Sequence, residues 1–192
     1  MKWILLALAL VACGHHEDAA AGGKGTADPA APPTTPRLDV TSPAFVANAD
    51  IPIDHTCEGA DVAPPIAWTG APAGTKSFAL VVDDPDAPDP AAPKQTWVHW
   101  VLVGIPAATT SLPIGAGVSP PAGAANGTND WGKQAWGGPC PPVGRHRYFF
   151  KVYALDADVG KPAMTKDELL AAMKGHVLAR GELVGLYKKQ KS

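Results

Sequence analysis

The chain has 192 residues, with 16 Lys and Arg against 18 Asp and Glu, for a net charge of -2 at pH 7. That balance leaves no basic footprint for nucleic acid, and the length suits one domain plus a targeting segment. Twenty glycines and 21 prolines weigh against a mainly helical protein, while 46% hydrophobic residues and six tryptophans exclude a chain disordered throughout.

Residues 1–13 read as an export signal. Lys2 supplies a positive start, Trp3 to Ala12 is an apolar run, and Cys13 follows Leu10-Val11-Ala12. Such a run covers about half of a ~30 Å hydrocarbon core, too short for a transmembrane helix. The Leu-Val-Ala-Cys ending resembles a bacterial lipobox, in which cleavage leaves a lipid-modified Cys13 at the new N-terminus; the plainer alternative is a signal peptide cut in the Ala-rich stretch beyond it. Gly14 rather than Asp follows, which under the enterobacterial sorting rule favours the outer membrane. The expected location is therefore exported and lipid-anchored, at the outer membrane or periplasmic face. Residues 14–37 are Ala, Gly, Pro and Thr with hardly an aliphatic anchor, a composition that reads as a disordered tether, with His15 and His16 solvated within it. The folded domain is expected over 38–192.

In that domain short apolar runs alternate with Pro/Gly turns. Ser77–Val82, Trp97–Ile105 and Arg147–Leu155 are rich in β-branched and aromatic residues and read as strands, the first two apolar enough to be covered on both faces. A proline-rich loop spans 85–93, and a Gly/Pro/Asn region over 115–144 is too long for a simple connection. Thr165 with Glu168 forms a capping box, and Leu169, Leu170 and Met173 give a helix an apolar stripe that stops near Gly175. His176–Leu178 and Glu182–Tyr187 read as one or two closing strands. The pattern predicts a mainly β fold, a sandwich of antiparallel sheets with one or two short helices.

With Cys13 lipidated, Cys57 and Cys140 remain. They form either a disulfide, permitted by an oxidising compartment, or two buried thiols; spacing does not decide.

Strict strand alternation places His99 with Trp97 and Val101, and His146 with Tyr148 and Phe150. Upstream of the first histidine, Asp83, Asp84 and Asp86 crowd a proline-stiffened strand exit; upstream of the second, Gly138-Pro139-Cys140-Pro141-Pro142 offers backbone that a ligand can approach. A carboxylate beside His99 or His146 favours the imidazolium, a donor for phosphate, so binding is expected to weaken as pH rises through the histidine pKa. Backbone N–H groups at 138–140 add a nest-like concavity.

Four of these stretches in order, DPDAP at 84–88, WVHW at 97–100, GPCPP at 138–142 and HRY at 146–148, resemble the phosphatidylethanolamine-binding protein family, and within it the bacterial Raf-kinase-inhibitor-like (YbhB/YbcL) branch. Supporting matches run from Cys57 to Trp68, over 70–80, at Asn129-Asp130 and over 175–187. The resemblance covers about 38–188 and implies a β-sandwich with an anion pocket at one end, lined or supported by Asp84, Asp86, Pro88, His99, Gly138, Cys140, Pro142 and His146, with Tyr148 beside it. It also implies phosphate or a phosphorylated head group as ligand, and it allows a homodimer. The larger animal proteins gate the pocket with a C-terminal helix; the ending Lys-Lys-Gln-Lys-Ser leads us to expect none. Glu58, Ala63 and Trp136 depart from the branch's usual Asp, Ser and Tyr, which bears on ligand identity more than on the pocket.

Each feature has a plainer reading. Asp84 and Asp86 are turn formers beside prolines, His99 and His146 satisfied core histidines, the tryptophans core, GPCPP a stiff loop, and Arg145, Arg147 and Lys151 solvated charges. Three functions compete. A binding module for a small anionic or phosphorylated ligand, touching the membrane through its lipid anchor only, ranks first. An interaction protein docking a kinase or serine protease through an apolar rim at 118–143 ranks second. A metal-dependent hydrolase using two His and two Asp ranks last, since the chain has no HExxH helix, no GxSxG elbow and no phosphate loop. No catalytic residue, metal or cofactor is expected.

Overall fold

A computed structural model describes residues 36–190. The expected signal segment, Cys13 and nearly all of the 14–37 tether lie outside the described residues. Strand β3 (Ser77–Asp84) organises the rest because all eight of its residues are buried. Its neighbours are β4 (Trp97–Pro106) on one side and β7 (His146–Leu155) on the other, both antiparallel. With β6 (Ala125–Asn126) beyond β4 and β8 (Val177–Tyr187) beyond β7, they form a five-stranded sheet. A second sheet of β1 (Asp39–Thr41), β2 (Ile66–Thr69) and β5 (Ser111–Leu112) packs over one face. Phe78, Leu80 and Val82 of β3 meet Ile66, Trp68 and Leu112 in the core between the sheets.

The other face of the large sheet carries Ala79, Val81, Val101 and Val103, and α1 (Lys166–Ala172) covers them. Thr165 and Glu168 cap each other's backbone N–H groups as the sequence suggested. Of the apolar stripe only Leu169 and Met173, one turn apart, reach the sheet; Leu170 points about 100° away and is 39% exposed, so the stripe is narrower than expected. Two-face coverage explains why β3 and β4 read as apolar runs rather than alternations.

The closing segment is one strand, not two. Its interior glycines allow close approach: a Cβ at Gly181 would collide with the Leu38 carbonyl, and one at Gly185 with Ile51 and Phe45. The chain from 36 to 51 thereby lies along β8, giving the Leu38 N–H to the Arg180 carbonyl at 3.0 Å and the Ile51 N–H to the Leu186 carbonyl at 2.8 Å. This blunts a sheet edge that would otherwise invite pairing with another chain. The short strands β1, β2, β5 and β6 carry too few residues to show a period.

Truncation at Leu169 leaves a cavity under α1, whereas truncation at Leu170 removes only surface contacts. Leu169→Ala is expected to lower the unfolding free energy by about 2–4 kcal/mol and Leu170→Ala by less than about 0.5 kcal/mol in urea denaturation.

Candidate functional site

The candidate residues converge where β3 ends and β4 and β7 begin. Val82 pairs with Trp100 and Asp83 with Val98, so His99 has no opposite number on β3. This is a β-bulge, and it re-aims a side chain. Val98 and Val101 both face the helix side, while Trp100 faces the core between the sheets. His99 therefore does not share a face with Val101, as strict alternation required. Its ring instead lies 5.1 Å from Tyr148, 5.0 Å from Trp131 and 6.4 Å from Trp136 between centroids. The long loop fixes it there: the His99 Nδ1–H donates to the Gly137 carbonyl at 2.6 Å, and the Gly137 N–H donates to the His99 carbonyl at 3.1 Å. Asp130 Oδ2 accepts the Val98 N–H at 2.7 Å beside the bulge. The Asn129 amide accepts the N–H groups of Trp131 and Lys133, each at 3.0 Å, and so shapes the turn.

Asp84 closes the other half. One carboxylate oxygen accepts the Asp86 N–H at 2.8 Å and the other meets His146 Nδ1 at 2.7 Å. His146 Nε2 lies 2.8 Å from the Val143 carbonyl, which can only accept, so Nε2 carries a hydrogen and Nδ1 shares one with Asp84. Burial pushes the Asp84 carboxyl above its usual range against the lowering pull of His146. Tyr148 follows one pleat along, its ring 6.5 Å from that of His146. Its hydroxyl is buried with no hydrogen-bond partner among the described residues, as is Trp136 Nε1. Burial also raises the Tyr148 phenol, so it remains a donor.

The expected electrostatics need correction. Burial drives the His99 imidazole down to about 4, outweighing the Gly137 carbonyl and the Asp83 charge, both of which pull upward. The carboxylates expected to raise it, Asp84 and Asp86, are engaged elsewhere, Asp84 with His146. Asp86 takes Arg147 in a fork, with Oδ1–Nη2 at 2.6 Å and Oδ2–Nε at 2.9 Å, and that bond lowers its pKa. Asp83, fully buried, takes Lys151 at 2.8 Å and Lys166 at 2.5 Å. Arg145, Arg147 and Lys151 thus each have an ion-pair partner, although the Arg145 and Arg147 side chains stay about half exposed. At neutral pH His99 is uncharged, and with Nδ1–H given to Gly137 its Nε2 is an acceptor.

Cys57 and Cys140 are bridged, with Cα atoms 5.4 Å apart. The bridge ties the GPCPP turn to the segment following the 3-10 turn at Ile53–His55. Gly138 is buried there and gives its N–H to Asp61 Oδ1 at 2.7 Å; Pro139 has none, so the expected nest of free N–H groups is not built at 138–139. Cys140 and Pro142 lie on the exposed rim, and Pro88, half-buried, follows a cis peptide bond. Asp61, Asn129 and Asp130 are the positioning residues that sequence reasoning did not assign. Trp136 stacks on Phe150 at 6.0 Å and walls the site.

The phosphatidylethanolamine-binding protein family model matches residues 41–188. This chain belongs to the phosphatidylethanolamine-binding protein family. It is 41% identical over 155 residues to a UPF0098 protein of Methanothermobacter thermautotrophicus, covering 79% of this chain and 99% of the relative. It is 38% identical over 153 residues to a UPF0098 protein of Chlamydia pneumoniae, with coverage of 79% and 99%. Among solved structures, a phosphatidylethanolamine-binding protein homologue from Chlamydia trachomatis superposes with TM-score 0.73 at 35% identity, over 80% of this chain and 99% of the other. Escherichia coli YbcL gives TM-score 0.72 at 34% identity with the same coverage. All nine candidate pocket residues of this family member lie within the matched span.

Neutral, buried His99 makes stability of this family member depend on acid. The unfolded chain titrates the residue near 6.5 and the folded one near 4, so the unfolded state takes up the proton first and stability falls as pH drops through that window. The full contribution is about 3 kcal/mol. His99→Asn, whose amide keeps a donor for Gly137, is expected to narrow its stability gap to the parent by about that amount between pH 7 and pH 4, read by denaturant unfolding at each pH. A gap that does not change with pH would contradict the burial argument.

Proposed function

We propose that this family member is a binding protein of the bacterial Raf-kinase-inhibitor-like branch, with no catalytic role, whose His99–Tyr148–His146 site takes a small oxyanion, either phosphate or a phosphorylated head group. The observation that carries the reading is the Tyr148 hydroxyl: fully buried, ring-packed between two histidines, and without a partner among the described residues. A buried donor left so costs about 1–3 kcal/mol, and native proteins keep such groups chiefly where a ligand or ordered water serves them. Trp136 Nε1 is a second donor of the same kind. His99 Nε2 supplies an acceptor, which suits an oxyanion retaining one proton. The likeness to YbcL supports the branch.

We further place the protein in the cell envelope, anchored through lipid on Cys13. The apolar run before Cys13 and the Cys57–Cys140 bridge, a feature of oxidising compartments, support that placement.

One observation favours a second reading, docking of a kinase or serine protease. Val118 (76% exposed), Trp131 (43%) and Val143 (53%) leave large apolar side chains in water along the loop that positions His99. The hydrolase reading gains no such support. Asp86 is held by Arg147 and Asp84 by His146, and no group of three His, Cys, Asp or Glu among the described residues could hold a metal ion.

Tyr148→Phe separates ligand binding from packing. The variant is expected to be as stable as the parent or more so, since it removes an unserved hydroxyl, and to bind phosphate and phosphoethanolamine about tenfold or more weakly by calorimetry. Unchanged affinity for both would remove Tyr148 from the site.

A further inference from the structure

We propose that the cleft where β7 begins and β8 ends is a second binding site, separate from the His99–Tyr148–His146 site, that takes a phosphomonoester carried on a small organic group. The cleft encloses about 390 Å³ and is lined by Asp50, Ile51, Arg145, Tyr187 and the 188–190 segment. That volume falls in the range of small-ligand pockets.

Its lining is built in two parts. Ile51 and Tyr187, each 2% exposed, provide a largely apolar base. The lining also includes Arg145, Lys188 and Lys189, with one lining carboxylate, that of Asp50. Arg145 meets Asp50 at 2.6 Å, but their side chains are 49% and 64% exposed, so water weakens the pair and an incoming phosphate can compete for the guanidinium. Lys188 and Lys189 have no ion-pair partner among the described residues. The segment that carries them is held in place: Glu58 accepts both the Tyr187 hydroxyl and, at 2.7 Å, the Gln190 N–H. Tyr187 and Gln190, on either side of the two exposed lysines, are thus both tied to one carboxylate.

Charge distinguishes the two sites. At the buried one, Arg147 is committed to Asp86 and His99 is neutral, so a doubly charged group finds little free positive charge there. At the cleft, Arg145, Lys188 and Lys189 outnumber the carboxylates of Asp50 and of Glu58, which bonds the lining residues Tyr187 and Gln190, by one. The sites share no lining residue but are neighbours, since His146 pairs with Tyr187 across β7 and β8 and Arg145 precedes His146. A phosphomonoester dianion with a compact apolar group matches a lining that combines cations with Ile51 and Tyr187. Such a group occurs on soluble metabolites and on phosphatidic acid alike.

The test uses the full chain carrying Cys13→Ala, which removes the lipidation residue. Phenyl phosphate is titrated while the backbone amides of Arg145 and Lys188–Gln190 and the His99 ring are followed by NMR. Co-sedimentation with phosphatidylcholine vesicles, with and without phosphatidic acid, forms the second arm. Saturable amide shifts around the cleft are expected, with Lys188→Gln/Lys189→Gln weakening phenyl phosphate binding at least about tenfold while the His99 response to inorganic phosphate is retained. Vesicle binding that requires phosphatidic acid and is lost in the same variant supports the site with the lipid as source. The proposal is overturned if neither arm responds to the double variant, or if Lys161→Gln/Lys174→Gln, which removes equal charge elsewhere, weakens binding as much. Failure of the buried site would instead appear as a silent His99 ring beside intact cleft shifts.

Discussion

A single buried carboxylate holds this end of the sandwich together. Asp84 ends β3, takes the Asp86 N–H on one oxygen and His146 Nδ1 on the other, and His146 passes the constraint to the Val143 carbonyl. The strand exit, the first residue of β7 and the turn before it are thereby fixed by one side chain. Both partners are nearly inaccessible, with side-chain exposures of 5% and 1%. Removing one member of such a pair strands the other in a poorly solvating interior, at a cost of about 3–5 kcal/mol. The pair is therefore better understood as a geometric constraint than as a source of net stability.

Upon that anchor two further devices place His99 and the loop facing it. The bulge in β4 turns His99 toward Tyr148, and Gly137 grips it through both its N–H and its carbonyl. The Cys57–Cys140 bridge closes a segment with a sequence separation of 83, which in the chain-entropy account contributes about 4–5 kcal/mol. A long Gly/Pro segment with little regular structure thus becomes a defined wall. Asn129 and Asp130 carry out the same task with hydrogen bonds.

The large sheet was legible because β3, β4 and β7 are long, and burial on both faces writes continuous apolar runs into β3 and β4. The helix was legible from its capping box. What the pattern misjudged follows from local exceptions to regular geometry. The bulge breaks the alternation that assigned His99 its face, and the stretch left open between the readings at 178 and 182 is strand because Gly181 lets the 36–51 segment pack against it. The candidate residues stood out as a family pattern, but their charge states were not legible. Three neighbouring aspartates suggested raised histidine pKa values, yet Asp83 and Asp86 each face a cation and burial governs His99. Which cation each carboxylate takes depends on strand register, and that is absent from composition.

On the function we propose, a neutral histidine, an unserved phenol and a shared Asp–His proton suit an oxyanion with a proton of its own, and burial rather than net positive charge sets the chemistry. The most direct measurement is ¹⁵N NMR of the histidine ring nitrogens during titration with phosphate at neutral pH. The account predicts that His99 Nε2 begins with the shift of a bare acceptor and moves saturably toward a hydrogen-bonded or protonated one, while Nδ1, held by Gly137, changes little. A His99 ring already protonated without phosphate, or one that stays unmoved at ligand concentrations on the order of millimolar, would contradict it.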